Sequence, residues 1–310
     1  MQYLGIQQQI TRNNTKSILF LLAFPLLILV GVYVVLYMLS DQDIEQTNTQ
    51  FLSVVPIVLA GVGIWFVISY FFHTQMIQMA THSEPLKRRN NKRVYNLTEN
   101  LCMSVGMPMP KLYIIESDAL NAFASGINEK TFAVTLTRGI INRLNDEELE
   151  GVIAHELTHI RNRDVRLLIV TIVFVGIFAT IADLALRMLL NGRGKMFSSR
   201  NRKNDKGGGT TKLLLIILLV AGAIYFLSIL FKLALSRSRE YMADAGAVEL
   251  TRNSMALASA LRKISGHSTL KEVRNDQVKE LFIDYEAEGF FFLFATHPPI
   301  EKRIQVLEQY

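Results

Sequence analysis

Cysteine is almost absent from this 310-residue chain, where Cys102 stands alone. A single thiol excludes an intramolecular disulfide and a thiolate-lined metal site, so Cys102 is expected to be a buried, inert side chain. Tryptophan is as scarce; Trp65 lies inside an apolar run, where helix or lipid packing accounts for it. Histidine occurs only six times, so two at ligand spacing carry information. Formal charge is missing from residues 18–39 and 51–72, each roughly 22 residues and long enough to cross a bilayer. That excludes an ordinary soluble domain, in line with 50% hydrophobic residues and a mean hydropathy of +0.25.

What the chain does have is His155-Glu156-Leu157-Thr158-His159. Residues i and i+4 of a helix share one face, so His155 and His159 can grip a single zinc ion. Glu156 follows the first ligand, where its carboxylate can reach a water held at the metal and act as general base. At this histidine content a chance match arises in roughly one such sequence in a hundred. The context is helical as well. Asn145 offers an N-cap, Asp146, Glu147 and Glu148 an acidic first turn with a capping-box glutamate, and Leu149, Val152, Ile153, Leu157 and Ile160 repeat at helical spacing. The chemistry these residues suit is hydrolysis of a peptide bond.

Two weaker apolar runs follow that helix: residues 167–182, roughly 16 long before Asp183 and Arg187, and residues 213–231, roughly 19. The first run of the chain is too long, and too far behind a polar start, for a cleaved signal peptide, and is expected to be a retained anchor. Arg12 and Lys16 precede it, Asp41, Asp43 and Glu45 fill the loop after it, and Lys87, Arg88, Arg89, Lys92 and Arg93 follow the second run. Lys and Arg favour the cytoplasmic side, which places the N-terminus and residue 73 onward there. The expected organisation is a cytoplasmic N-terminus (1–16), two transmembrane helices with an acidic outer loop (17–72), and a first catalytic segment with the zinc helix (73–165). An apolar helix pair around a basic loop (166–236, loop 191–212) and a second catalytic segment (237–310) complete it.

Within 73–165, Val94, Leu97, Leu101 and Val105 predict a helix ended by Gly106, Pro108 and Pro110. Residues 111–116, 121–125 and 131–137 read as strands, with 126–130 connecting the last pair. Residues 237–310 read as mostly helical, with a break at Pro298-Pro299. His73, His82 and His267 have no partner at ligand spacing and are expected at the surface. The basic loop presents a conflict. Two full spans around it put its Arg and Lys residues outside, against the positive-inside tendency; an embedded hairpin keeps them on cytoplasmic headgroups. The full-span reading is preferred because residues 213–231 are long enough and the third run can be extended by Val165 and by residues 184–190.

A catalytic zinc keeps a third protein ligand. Glu240 and Asp244 sit at i and i+4, so one could bind metal while the other buttresses a histidine, although two acids so spaced are more often a solvated helix face. Taken with two N-terminal spans, the sequence from His155 to Asp164, the second apolar pair, and Ser238-Arg239-Glu240-Tyr241-Met242-Ala243-Asp244, the chain resembles the HtpX-type membrane zinc metalloproteases, relatives of the CAAX prenyl protease family. The resemblance covers nearly the whole chain. It implies Glu240 as third zinc ligand, Asp244 as support, and one zinc ion per chain. It implies a mainly α membrane protein with a zincin-like α+β catalytic domain and a small sheet. Asn121-Ala122-Phe123-Ala124 resembles the family's substrate-aligning edge strand; a core strand with Phe123 buried is the reading without that resemblance. Thr296-His297-Pro298-Pro299 with Arg303 resembles its C-terminal motif. His297 is then a donor to the developing oxyanion or a turn residue, and Arg303 a partner for Asp244 or Glu240.

The function expected is zinc endopeptidase action on misfolded or damaged membrane proteins, or unfolded polypeptides, at the cytoplasmic face of a bacterial inner membrane, with the bilayer but no nucleic acid as partner. His159 lies eight residues before Leu167, which puts zinc on the order of 12 Å from the apolar boundary. A non-catalytic zinc-stabilised scaffold or chaperone is the alternative, but a structural zinc site has no use for Glu156. A channel or transporter subunit would need intramembrane charges that the first two spans lack. Cysteine placed at Ser198 or Ser199 tests the helix pair: two full spans predict labelling from outside, and labelling from the cytoplasm alone would exclude them.

Overall fold

The computed structural model describes residues 6–170, 181–184, 186–187, 208–233, 237–270, 273, 281–284 and 298–310. Residues 191–207 of the basic loop, most of the third apolar run and His297 lie outside the described residues. The chain packs into two compact units, one of Leu19–Ser69 and Val173–Phe231, the other of Met1–Ile18, Tyr70–Ile172 and Lys232–Tyr310.

In the first of these units, uninterrupted apolar sequence produces long helices that expose what a soluble protein would bury. It holds most of α1 (Ile6–Leu39), the first part of α2 (Ile44–Thr81) and most of α6 (Gly208–Leu233). Leu22, Leu52 and Ile57 are 69%, 72% and 71% exposed, as suits side chains solvated by hydrocarbon. Both α1 and α2 are long and apolar enough to cross a membrane, whereas α6 contains the shorter apolar stretch Leu213–Phe226. Asp41 and Gln42 turn the chain with left-handed backbones, and Asp43 caps α2 by accepting from the amides of Glu45 and Gln46. Glu45 therefore belongs to the first turn of α2, not to the loop. Gly31 of α1 lets α6 approach; a Cβ there would meet Ile224 Cδ1 at 2.6 Å.

The second unit is built on a four-stranded sheet: β1 (Glu84–Pro85), β2 (Lys111–Ile115), β3 (Ala122–Ser125) and β4 (Ala133–Thr137), in the order β1-β2-β4-β3. β2 and β4 are parallel; β1 on β2 and β3 on β4 are antiparallel. β3 and β4 are buried throughout, the polar Ser125, Thr135 and Thr137 included. The hairpin between them needs Gly126 at φ +112, where a Cβ would strike the Thr131 carbonyl at 2.5 Å. The helix α3 (Lys92–Ser104) buries Cys102, and that burial pushes its thiol up to about 11, so it is inert at neutral pH. His73 departs from its expected surface position. It is 3% exposed because α2 runs on to Thr81, and its Nδ1 lies 2.8 Å from the Tyr70 carbonyl one turn back.

After the short α4 (Arg138–Arg143) comes the central helix α5 (Asp146–Arg161). Its capping box is complete: Asn145 accepts from the Glu148 amide at 2.8 Å and Glu148 accepts from the Asn145 amide at 3.0 Å. Glu148 is buried because Ser259 and Lys263 of α8 (Ser254–Ile264) also donate to it, each at 2.7 Å. α5 packs against β3, α8 and α7 (Arg237–Thr251), and α9 (Ile300–Leu307) covers α7 and α8. The approach of α5 to α7 depends on Gly246: a Cβ there would meet Thr158 Cγ2 at 2.4 Å and Oγ1 at 2.9 Å. Thr158 cannot yield easily, being buried with its hydroxyl donating to the Ala154 carbonyl. Gly246→Ala is expected to cost about 1–3 kcal/mol by overpacking, while Gly222→Ala, which meets nothing within 4 Å, should be neutral or stabilising. Thermal melts of the two variants compare them; equal melting points would show that the helix pair tolerates the extra methyl.

Candidate metal centre

Helical spacing on α5 places His155 and His159 one turn apart, and their Nε2 atoms approach to 3.2 Å. Glu240, in the first turn of α7, brings Oε2 to 3.6 Å from His155 Nε2 and Oε1 to 3.6 Å from His159 Nε2. All three donor groups lie within 4.8 Å of one another, and His155 and Glu240 are buried. Ligands at 2.0–2.1 Å from a tetrahedral zinc stand about 3.3–3.4 Å apart, so the spacing fits that ion. The donor set of two imidazoles and one carboxylate also leaves a fourth position for water.

Each histidine has a carboxylate behind it. His155 Nδ1 lies 2.9 Å from Asp244 Oδ1, and His159 Nδ1 lies 3.2 Å from Asp164 Oδ2. A hydrogen bond from Nδ1–H to a carboxylate fixes the tautomer whose Nε2 lone pair faces the metal position. Asp244 and Glu240 share one face of α7, and they divide the labour: one carboxylate points among the Nε2 atoms and the other stands behind a ring. Arg303 joins from α9, bonding Asp244 bidentately at 2.9 and 2.7 Å and the Ile283 carbonyl at 3.1 Å; Glu240 is more distant at 3.6 Å. Asp244 rather than Glu240 is thus its main partner.

The electrostatics are those of a site built for a cation. Burial alone would lower the pKa of both histidines, yet Asp244 and Glu240 raise His155 above its ordinary value, and Glu240 with Asp164 holds His159 up to about 10. Asp244, despite burial, is pulled down to about 2 by Arg303 and His155. Burial, with the Glu240 charge adding, raises Glu156 while the two histidines oppose the shift. A general base benefits from such a rise. The backbone N–H of Ala124 also opposes that rise. Glu156 opens with His159 and Glu240 onto a cleft walled by Ala124, Val165, Leu168 and Leu281.

Among the described residues β3 is the last strand of the sheet, with Asn121 just ahead of it, but its outward groups are partly used. The Ala122 carbonyl accepts from Ile283 N–H at 2.9 Å. Asn121 spends its side chain on the Ser268 and Asp284 carbonyls and on the Ala122 and Ile283 amides. Phe123 is buried against Phe282, ring centroids 5.4 Å apart. A peptide aligning along β3 would reach Ala124 at the cleft and would have to displace Ile283 to continue to Ala122. Sequence reasoning missed Asp164. Its signal was an acid five residues after His159, but only a turn could bring it back, and Arg163 supplies one with a left-handed backbone at φ 59°.

Residues 88–310 match the model of peptidase family M48. Over its whole length the chain is 51% identical to a protease HtpX homolog of Bacteroides fragilis, also covered in full. It is 35% identical to a protease HtpX homolog of Lactobacillus helveticus, over 98% of this chain and 99% of the relative. Among solved structures, the crystal structure of S. mikatae Ste24p aligns with a TM-score of 0.45 and 18% identity, over 90% of this chain and 61% of that one. Because His159 holds a proton until about pH 10 without metal, zinc uptake at neutral pH should release about one or more protons. Apparent zinc affinity should rise at least about tenfold per pH unit between pH 6.5 and 8.5. Chelator competition at three pH values measures this, and a flat profile would exclude a protonated ligand set.

Proposed function

Because the chain belongs to peptidase family M48, we propose that this membrane-associated metalloprotease uses His155, His159 and Glu240 to hold one zinc ion and Glu156 as its general base. When bound, zinc supplies Lewis acidity, polarising a water and the scissile carbonyl. Glu156 takes the proton of that water as the water oxygen bonds to the scissile carbonyl carbon, and returns it to the leaving amine as the peptide bond breaks. Asp244 and Asp164 keep the two imidazoles in the orientation the ion requires. Ala124 and the apolar cleft walls receive the substrate backbone and an adjacent side chain. The observation that carries this reading is the convergence of two Nε2 atoms and the Glu240 carboxylate within 4.8 Å, with buried Glu156 on the same helix turn.

The substrates are misfolded or damaged membrane proteins, or unfolded segments, cut at the cytoplasmic face of a bacterial inner membrane in proteolytic quality control. Support for the face comes from Lys87, Arg88, Arg89, Lys92 and Arg93 after the second apolar stretch. Support for backbone-directed, sequence-tolerant binding comes from the edge position of β3. The test is zinc content and casein cleavage in detergent for the wild type and Glu156→Gln. One zinc in both, with cleavage reduced about 10²–10⁴-fold or more in the variant, is expected. Zinc in both with no cleavage by either would favour the scaffold alternative, and equal cleavage would reject Glu156 as the base.

A further inference from the structure

Behind His155 stands Asp244, and behind Asp244 stands Arg303. The other histidine has the same arrangement with different residues. Asp164 is 2% exposed, and one of its oxygens faces His159 Nδ1. Its second oxygen accepts from Asn13 Nδ2 at 2.6 Å. The same amide donates to the Asn162 carbonyl at 2.9 Å. Both partners can only accept, so the NH2 group faces them and both of its hydrogens are engaged.

Asn13 lies near the start of α1, ahead of the apolar run, and is 4% exposed. Ser17, four residues on and on the same face, is buried too and donates its hydroxyl to the Asn13 carbonyl at 2.8 Å. Asn162 is the C-cap of α5, where carbonyls lack helical partners. One amide thus ties the end of the zinc helix to the carboxylate that returns to its second histidine. Without that donor Asp164 would keep one hydrogen bond and could swing about its χ angles, and the His159 ring would swing with it.

We propose that Asn13 is a positioning residue of the metal centre, acting through Asp164 on His159, so that the polar segment before the first apolar run belongs to the zinc site. The inference rests on His159 being a zinc ligand. Groups that orient a metal-bound histidine typically change metal affinity by about 10–100-fold when removed. A residue one step further out, acting only through such a group, has a smaller effect and none once that group is gone.

The experiment uses the full chain in detergent and reads the zinc dissociation constant by competition with a chromophoric chelator. Its variants are Asn13→Leu, Asp164→Asn and the double. Asp164→Asn should weaken binding about 10–100-fold and Asn13→Leu about tenfold, with the double variant no weaker than Asp164→Asn alone. A packing role alone would lower the melting point of Asn13→Leu and leave zinc affinity unchanged; that result overturns the proposal. Losses that multiply in the double variant overturn it as well. If Asn13→Leu does not fold, Asn13→Ser replaces it under the same expectations. A wild type that binds no zinc would overturn the metal assignment itself and this proposal with it.

Discussion

A guanidinium with 1% exposure is tolerable only where carboxylates surround it, and Arg303 meets that condition through Asp244 and, less closely, Glu240. The pair is more than a neutralised charge. Asp244 accepts from the guanidinium with both oxygens and shares Oδ1 with His155, so the C-terminal helix, α7 and α5 are held by one buried network. Breaking such a pair from one side leaves an uncompensated charge, a cost of roughly 3–5 kcal/mol. That constraint explains why the last short helix of the chain, far from the His-Glu-x-x-His pentad in sequence, is pinned beside it.

Around this network the helices approach as closely as their side chains allow. Gly246 against Thr158 sets the distance between the helix carrying both histidines and the helix carrying Glu240, and Gly151 against Leu257 does the same for α8. Glu240 oxygens 3.6 Å from imidazole nitrogens on a different helix require such contacts. A tenth-of-nanometre shift would separate the Glu240 oxygens from the imidazoles, because packed interiors transmit displacement with little loss. The capping box at Asn145 and the Glu148–Lys263 contact secure the far end of the same helix.

The exposed apolar faces of α1 and α2 and the buried polar centre are two answers to the same solvent problem. The first unit leaves Leu22, Leu52 and Ile57 uncovered. The second concentrates charge in its interior and satisfies it by pairing: carboxylate to guanidinium, carboxylate to imidazole, amide to carboxylate. An M48 peptidase needs this arrangement, since the groups that polarise a peptide bond are strongest where water is scarce and each must be oriented before substrate arrives.

Much of the centre was legible in the chain. Histidines at i and i+4 must share a helix face, an N-cap followed by acids must start that helix, and long uncharged runs must find an apolar solvent; each follows from local geometry or local composition. Glu240 and Asp244 were legible as a pair on one face, but nothing local said which would point at the imidazole Nε2 atoms; the packing of α7 on α5 decided that. The same holds for the choice of Asp244 over Glu240 by Arg303, for the burial of His73, and for the use of Asn121 and Ala122 in holding residues 283–284. Asp164 and Asn13 were invisible as functional residues because their roles depend on a left-handed turn at Arg163 and on a contact spanning some 150 positions of sequence. Periodicity and composition determine which residues share a face and which solvent a helix prefers; only the folded chain determines which distant face meets it, because hydrogen-bond partners are chosen by distance in space and not along the backbone.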